Sequence, residues 1–214
     1  MAEGQSNWKQ DFFDNAPEIR LNDPLAYVLG AMDEDGVLVF KYADVVKMAG
    51  HSCVSVAGAY MATVKALNAL YGNELPVRGD IRVLVKGGPE DLAYGPMAQV
   101  ISLITGAAGE TGFGGLGRKF GRQNKLVFDR DDLQYNTFIF QREDRGKAVK
   151  VTYNTQGLPQ NPEMGHLMSL VVGGHATKEE WEQFVSMWQG NVRRVLLEPD
   201  KYPGLFAVEV LKGN

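Results

Sequence analysis

Residues 49–71 read AGHSCVSVAGAYMATVKALNALY, and the part from Val54 to Leu70 contains no proline and a single charged residue, Lys65. Such a segment predicts one continuous helix that is buried on nearly all sides. One face of the predicted helix carries large side chains and another carries small ones, where a second backbone can approach closely. The large stripe consists of Val56, Tyr60, Val64, Leu67 and Tyr71, and the small stripe consists of Ala59, Ala62, Ala66 and Ala69. We therefore expect a central helix around which the rest of the chain packs.

Two reactive side chains precede this helix. Cys53 is the only cysteine of the chain, and His51 is one of three histidines. The free N–H groups and the dipole of a helix N-terminus favour negative charge, and the thiolate is the form of cysteine that binds metals and acts as a nucleophile. His51 and Cys53 are therefore candidate metal ligands. The alternative is that Cys53 is a small buried side chain and that His51 caps a helix.

The composition indicates one ordinary globular domain spanning residues 1–214. Of these residues 44% are hydrophobic and 22% are charged, which is typical of such domains. The net charge of −4 gives no footprint for a nucleic-acid partner, and no apolar run is long enough to span a membrane. Residues 1–8 lack the pattern of a signal peptide, and a single cysteine excludes an intrachain disulfide. We expect a cytoplasmic protein, with a removed signal peptide as the alternative.

The pattern of the whole chain predicts an α+β fold, in which two buried helices pack on a mixed or antiparallel sheet and a helical extension follows at the C-terminus. The second buried helix covers residues 96–104. Shorter helices are predicted at 25–32, 43–48 and 162–172, and strands at 37–42, 81–85, 125–128, 137–141, 148–153 and 206–211. Thr177 and Glu180 form a capping box that begins a surface helix ending near Leu197. The core should cover about residues 40–155, with an arm at 1–23 and the C-terminal helix and strand at 162–214.

A glycine-rich segment, residues 106–117, follows the second buried helix. Its last part, GFGGLG at 112–117, matches the pattern GxGxxG, but a dinucleotide fingerprint follows a strand and opens a helix, whereas this segment follows a helix. Glycines next to basic side chains can instead hold a carboxylate or a phosphate. Gly112, Gly114 and Arg118 are therefore candidate ligand-binding residues. The alternative is a tight turn with solvated cations.

The place of this segment depends on how the two buried helices run. If they are antiparallel, residues 106–117 lie beside Cys53, and we hypothesise that they line a pocket there. If the helices are parallel, the segment lies far from the cysteine. The pattern of apolar residues does not distinguish these two arrangements.

A cysteine hydrolase is one enzymatic interpretation of the same residues. His51 is poorly placed as a base, because a residue two positions away on a turn often points elsewhere. His166 or His175 would have to supply the base from the second half of the chain. A serine triad is not indicated, because no strand-turn nucleophile elbow precedes Ser55 or Ser102.

The motif Gly50-His51-Ser52-Cys53, followed by a small-residue helix, resembles the Gly-His-x-Cys-Pro-Gly signature of FmdE, a family named after a component of formylmethanofuran dehydrogenase. The resemblance continues through a helix ending at Ile104-Thr105-Gly106 and a strand at Leu126-Val127-Phe128, and it covers roughly residues 40–155. This sequence has Val54 and Ser55 where the family has proline and glycine.

Two further features of the family are missing. The family's usual second cysteine has no counterpart near Tyr94, which we count among the candidate ligand-binding residues. A C-terminal zinc finger, present in some members, is replaced by a tryptophan-containing helix and a strand. The chain carries no molybdopterin, tungsten or iron–sulfur signature of a complete dehydrogenase.

The resemblance implies a metal-binding protein that is often dimeric. His51 and Cys53 would be ligands, with a third from His166, His175 or a second subunit. Imidazole and thiolate suit a transition metal, zinc first, with nickel, copper or haem iron as alternatives. The apolar arm also favours a homodimer, since its aromatic residues should pack on the body or on a second subunit. These residues are Trp8, Phe12 and Phe13.

Two functions remain open. The first is a metal- or haem-binding protein with an accessory, sensing or carrier role. The second is a small metal- or thiol-dependent enzyme that acts on a compact, anionic small molecule held by the glycine segment and Arg118. No carboxylate is evidently placed to act as a base with His51, which favours the first.

Overall fold

The computed structural model describes residues 6–211, which form six α-helices and seven strands. The helices are α1 (Pro24–Val28), α2 (Tyr42–Ala49), α3 (Val54–Tyr71), α4 (Tyr94–Thr105), α5 (Met164–Val172) and α6 (Lys178–Leu197). The strands are β1 (Ile19–Leu21), β2 (Leu38–Phe40), β3 (Ile81–Val85), β4 (Leu126–Phe128), β5 (Thr137–Arg142), β6 (Ala148–Tyr153) and β7 (Phe206–Leu211). Short 3-10 helices lie at Asp11–Asn15, Thr155–Gly157 and Pro199–Lys201.

The main sheet has five strands in the order β4-β3-β5-β6-β7. Strands β3 and β4 are parallel, and the other neighbours are antiparallel. Alternate residues of β3 are buried, as the period of a half-buried strand requires; these are Ile81, Val83 and Val85. The sheet is therefore mixed, and with α3 and α4 packed on one face it confirms the predicted α+β class.

Helix α3 is the central helix that the sequence predicts. Twelve of its 18 residues are buried, on both the large-residue and the small-residue faces. Gly58 has a specific packing role, since a Cβ there would lie 2.0 Å from the ring of Tyr153 on β6. The absence of a side chain thus lets the helix approach the sheet closely.

Helices α3 and α4 are parallel. The Tyr153 hydroxyl donates to Val54 O at the start of α3, and the Tyr94 hydroxyl at the start of α4 accepts from the backbone N–H of Thr137. Thr137 is paired with the residue before Tyr153, so both helices begin at the same end of the sheet. At the opposite end, Gly79 N donates to Thr105 O at the end of α4. Of the two arrangements that the sequence left open, the chain thus adopts the parallel one, and the antiparallel pair on which the pocket hypothesis depends is excluded.

The N-terminal arm is more ordered than predicted. The expected turn at Trp8–Phe13 is a 3-10 helix at Asp11–Asn15, which buries Phe12 and Phe13 against the chain's own core. Strand β1, which we did not predict, pairs with β2. The arm therefore packs on the body, one of the two expected alternatives. Helix α1 ends at Val28 rather than at residue 32, because Gly30 with φ +73° breaks it.

Helices α5 and α6 form a hairpin, and α6 packs on α3. The predicted capping box is confirmed: Thr177 Oγ1 accepts from Glu180 N, and the Glu180 carboxylate accepts from Thr177 N. Val192 and Val195 are buried, whereas Trp181 is 39% exposed. No helix between residues 6 and 211 is long and apolar enough to cross a membrane.

Candidate functional site

The segment from Gly50 to Cys53 is a fixed turn between α2 and α3. Gly50 adopts the left-handed conformation, with φ +72°, that ends α2. Cys53 is the N-cap residue of α3, and its Sγ accepts the backbone N–H of Val56 at 3.5 Å. The thiol is half-buried. The sulfur thus lies at the N-terminal end of the helix dipole, and the thiolate is the form of cysteine that ligates metals.

His51 is exposed, and its ring is held by one hydrogen bond. Nδ1 lies 2.9 Å from Ala49 O. Because a carbonyl oxygen only accepts, Nδ1 carries the proton in this bond, and Nε2 keeps its lone pair. A backbone carbonyl that fixes the ring in this way is the usual partner of a metal-ligating histidine.

Ser52, between these two residues, is held by α6. Trp188 Nε1 and Gln189 Nε2 both donate to Ser52 O, at 2.9 and 3.2 Å. Ser52 Oγ donates to Gln189 Oε1 at 3.2 Å and lies 3.0 Å from the Tyr42 hydroxyl. Four hydrogen bonds therefore fix the backbone that carries His51 and Cys53. We did not identify these groups from the sequence, because α6 lies more than a hundred residues away along the chain.

Two buried tyrosines stand beside the cysteine. Burial raises the pKa of Tyr42 and Tyr153 above the usual range, and the charge of Cys53 acts in the same direction. Both phenols therefore stay protonated at neutral pH. Tyr42 donates to Ser52 Oγ, and Tyr153 donates to Val54 O at 3.0 Å.

His175 lies away from this turn in the same chain, and among the described residues His166 does not join His51 and Cys53 in a group of three potential ligands. His166 is exposed on α5, and His175 is exposed in the turn before α6. Thr177 begins α6 eleven residues before Trp188, a distance of about 16 Å at about 1.5 Å per residue. Between residues 6 and 211, no three or more His, Cys, Asp or Glu side chains are grouped to hold a metal ion. One chain thus offers two potential ligands in this turn, His51 and Cys53.

The glycine-rich segment lies at the other end of α3. Since α3 and α4 are parallel, residues 106–117 follow the end of α4, near Gly79. The 18 residues of α3 span about 27 Å, so within one chain this segment does not line a pocket around Cys53. Gly114 and Arg118 instead line a cavity of about 580 Å³ at that end of the fold, together with Arg78 and Arg122.

The other two candidate ligand-binding residues, Gly112 and Tyr94, pack against neighbouring parts of the fold. Gly112 packs against Ala108 and the backbone of residues 122–123. Tyr94 is fully buried, and its hydroxyl donates to Gln134 O and accepts from Thr137 N. Burial raises the pKa of Tyr94, so its hydroxyl stays protonated. These contacts tie α4 to β5.

No curated protein matches the sequence. The sequence model of one family, described as FmdE, molybdenum formylmethanofuran dehydrogenase operon, matches residues 48–202. The match begins at the turn that carries His51 and Cys53 and continues through α5 and α6, beyond the predicted limit near residue 155. It covers most of the 214 residues, and the chain therefore belongs to the FmdE family.

Proposed function

We propose that this protein binds a transition metal through Cys53 Sγ and His51 Nε2 and serves in an accessory, sensing or carrier role. The observation that carries the proposal is the set of hydrogen bonds that the two ligating side chains already make. The sulfur accepts a hydrogen bond from the backbone N–H of Val56, and Nδ1 of the imidazole donates one to Ala49 O. The family is described by the operon of a molybdenum enzyme, which makes a metal plausible.

The donor set favours zinc first. Thiolate and imidazole are borderline-soft ligands that suit zinc, and they also bind nickel, copper or haem iron. Bound zinc acts as a Lewis acid where a coordination position stays open. The chain's own contribution is to hold the donors, through the bonds from Trp188, Gln189 and Tyr42 to Ser52.

The surroundings favour binding over catalysis. The groups within hydrogen-bond distance of His51, Ser52 and Cys53 are neutral hydroxyl, indole, amide and backbone groups in the described part of the chain. General acid–base catalysis at pH 7 commonly uses a positioned carboxylate or histidine. The competing function is a thiol-dependent enzyme, which the hydrogen bond from Val56 N to the sulfur favours.

The remaining ligand would come from a second copy of the chain. Helix α5 reads MGHLMSLVV, yet Leu167 is its only buried residue. Val172 is 81% exposed and Met168 is 37% exposed. An apolar hairpin of this kind suits an interface between two chains. The same hairpin carries His166 and His175, so a homodimer could bring one of them to the partner's Cys53.

Metal analysis of purified variants tests the site. We expect the wild type to hold stoichiometric zinc, and Cys53→Ser and His51→Ala to lose it while the circular dichroism spectrum stays unchanged. Ser55→Ala, at the same helix start but without a donor role, is the matched control and should keep its metal. Full occupancy in both site variants would refute the proposal. A Soret band in the wild type would assign haem iron instead of zinc.

A turnover assay on the metal-free protein would identify the enzymatic alternative, since a thiol mechanism survives chelation and disappears in Cys53→Ser.

Analytical ultracentrifugation tests the dimer. Wild type should sediment as a dimer at micromolar concentration, and Val172→Glu should shift it towards monomer with loss of metal. A wild type that is purely monomeric would contradict the homodimer.

A further inference from the structure

A basic cavity lies beside the C-terminal end of α4, at the end of the sheet that is remote from Cys53. Its volume is about 580 Å³, against about 400 Å³ for the groove between the N-terminal arm and α6. It is bounded by the segment 78–80, which precedes β3, and by the loop 114–125, which precedes β4. Five cationic side chains line it: Arg78, Arg118, Lys119, Arg122 and Lys125.

The cations outnumber the carboxylates. Asp23, which is 6% exposed, is shared by two guanidiniums, with Oδ2 2.9 Å from Arg78 Nη1 and Oδ1 2.7 Å from Arg122 Nη2. Glu143 is likewise shared by Lys125 and Arg82.

Within residues 6–211, Arg118 and Lys119 form no ion pair and donate no side-chain hydrogen bond. Asp80 is the other carboxylate at the cavity. The region is therefore positive on a chain whose net charge is −4.

The buried member of the cluster is Arg122. It is 6% exposed, and its Nη1 has no hydrogen-bond partner within the described residues. Burial lowers the pKa of Arg122, the charge of Arg78 acts in the same direction, and Asp23 opposes both. A buried charge that shares one carboxylate with a second cation is costly, so an anion in the adjoining cavity would offset it without touching Nη1, which Gly79 and Gly106 enclose.

The surrounding backbone is shaped to the guanidinium. A Cβ at Gly79 would lie 1.8 Å from Arg122 Nη1, and one at Gly106 would lie 2.6 Å from the same atom. Both glycines have positive φ, +95° and +75°, which suits glycine. The loop is also anchored, because Arg122 N donates to Phe113 O at 2.7 Å. The arginine is thus fixed, while Arg118 and Lys119 stand exposed at the turn.

We propose that this cavity binds a small ligand through a phosphate group. Guanidinium groups recognise phosphate oxygens with paired hydrogen bonds, and the excess positive charge suits a dianion. A cavity of this volume lies within the range of small-molecule sites and has room for more than the phosphate itself. The ligand is therefore a phosphomonoester, and free phosphate shares its chemistry. The site is independent of the proposed metal site at the N-terminal end of α3.

Isothermal titration at pH 7.5 and constant ionic strength tests this assignment with inorganic phosphate, phenyl phosphate and acetate. We expect saturable binding of both phosphates at one site, with the ester tighter, and at least tenfold weaker binding of acetate. Equal affinity for the two phosphates would assign the site to free phosphate. The double variant Arg118→Ala/Lys119→Ala, whose side chains are exposed and unpaired, should bind phosphate at least tenfold more weakly.

The matched control is Lys178→Ala/Lys201→Ala, which removes the same charge from exposed positions on α6 and the 3-10 helix after it. It should bind phosphate within twofold of the wild type. Cys53→Ser should also bind it normally, which separates this proposal from the metal site. Absence of saturable phosphate binding by the wild type, or an equal loss in the control, would overturn the proposal. Backbone amide shifts of Gly114 and Gly121 on titration provide a second, local readout.

Discussion

The two ends of the parallel helices α3 and α4 differ in the chemistry that holds them. At the N-terminal end, neutral donors on α6 and buried phenols fix the turn that carries Cys53. At the C-terminal end of α4, a buried carboxylate on the N-terminal side of α1 holds two arginines from distant segments, and Arg78 also donates to Ile104 O. The first end carries a half-buried thiol and an exposed imidazole. The second end borders a cavity that is lined by more cations than carboxylates. The two buried helices thus separate a candidate metal site from a candidate anion site.

The largest change in the free energy of unfolding should come from removing the carboxylate of Asp23, which two arginines share. Asp23→Ala leaves the buried Arg122 and the half-buried Arg78 without this counter-charge, and breaking a buried pair costs about 3–5 kcal/mol. Urea unfolding measures the loss. Asp33→Ala, an exposed position, should change stability by less than about 0.5 kcal/mol. A loss as small as that in Asp23→Ala would show that the ion cluster does not hold this end.

The same residue predicts a pH dependence. Burial by itself raises the pKa of Asp23, but the hydrogen bond from Arg78 and the charge of Arg122 lower it below the usual value. A carboxyl whose pKa is lower in the folded state stabilises the fold above its unfolded pKa of about 3.9. The stabilisation is lost as pH falls through the folded pKa. Unfolding titrations should show a smaller acid dependence below about pH 4 in Asp23→Ala, and an unchanged slope would contradict this.

The second change in stability concerns the N-terminal half of α3. Gly58→Ala places a Cβ against the ring of Tyr153, and overpacking of this kind costs about 1–3 kcal/mol. Gly165→Ala on α5 is the matched control, since a Cβ there meets nothing within 4 Å, and it should stabilise by up to about 1 kcal/mol. Thermal unfolding compares the two. Equal stability in both variants would show that the close approach of α3 to β6 is not required.

The smallest effect tests how α6 holds the turn. Trp188→Phe removes one of two donors to Ser52 O, which should cost about 0.5–1.5 kcal/mol. Metal affinity should fall by about 10–100-fold, the usual cost of an outer-shell change. Trp181→Phe, an exposed tryptophan on the same helix, should leave both quantities unchanged. Equal metal affinity in the two variants would show that α6 does not position the donors.

The sequence predicts local features of this fold well. The bounds of β3, the start of α3 and the capping box of α6 depend on residues within a few positions of each other, and all three are confirmed. Asp23, directly before the Pro24 that begins α1, is of a residue type typical of an N-cap, and its side chain accepts from Leu25 N. Its second role was missed, because Arg122 lies 99 residues away. Short strands such as β1 give too few residues for a periodic pattern.

The candidate site was predictable only in part. The turn with His51 and Cys53 was visible as a motif, and so was the glycine segment with Arg118. Placing them together required the relative direction of two apolar helices, and a pattern of burial is the same for either direction. The parallel arrangement depends on one contact between Tyr94 on α4 and strand β5 and on another from Tyr153 on β6 to the start of α3, which no short stretch of sequence reveals. The metal-binding role of His51 and Cys53 stays a prediction.

Anomalous diffraction at the zinc edge, from crystals of the zinc-loaded protein, tests the central claim most directly. We predict one peak per chain at the N-terminus of α3, bonded to Cys53 Sγ at about 2.3 Å and to His51 Nε2 at about 2.0–2.1 Å, with a further ligand from a second copy. A peak at any other place in the chain, or no peak at Cys53 in zinc-loaded crystals, would contradict the account.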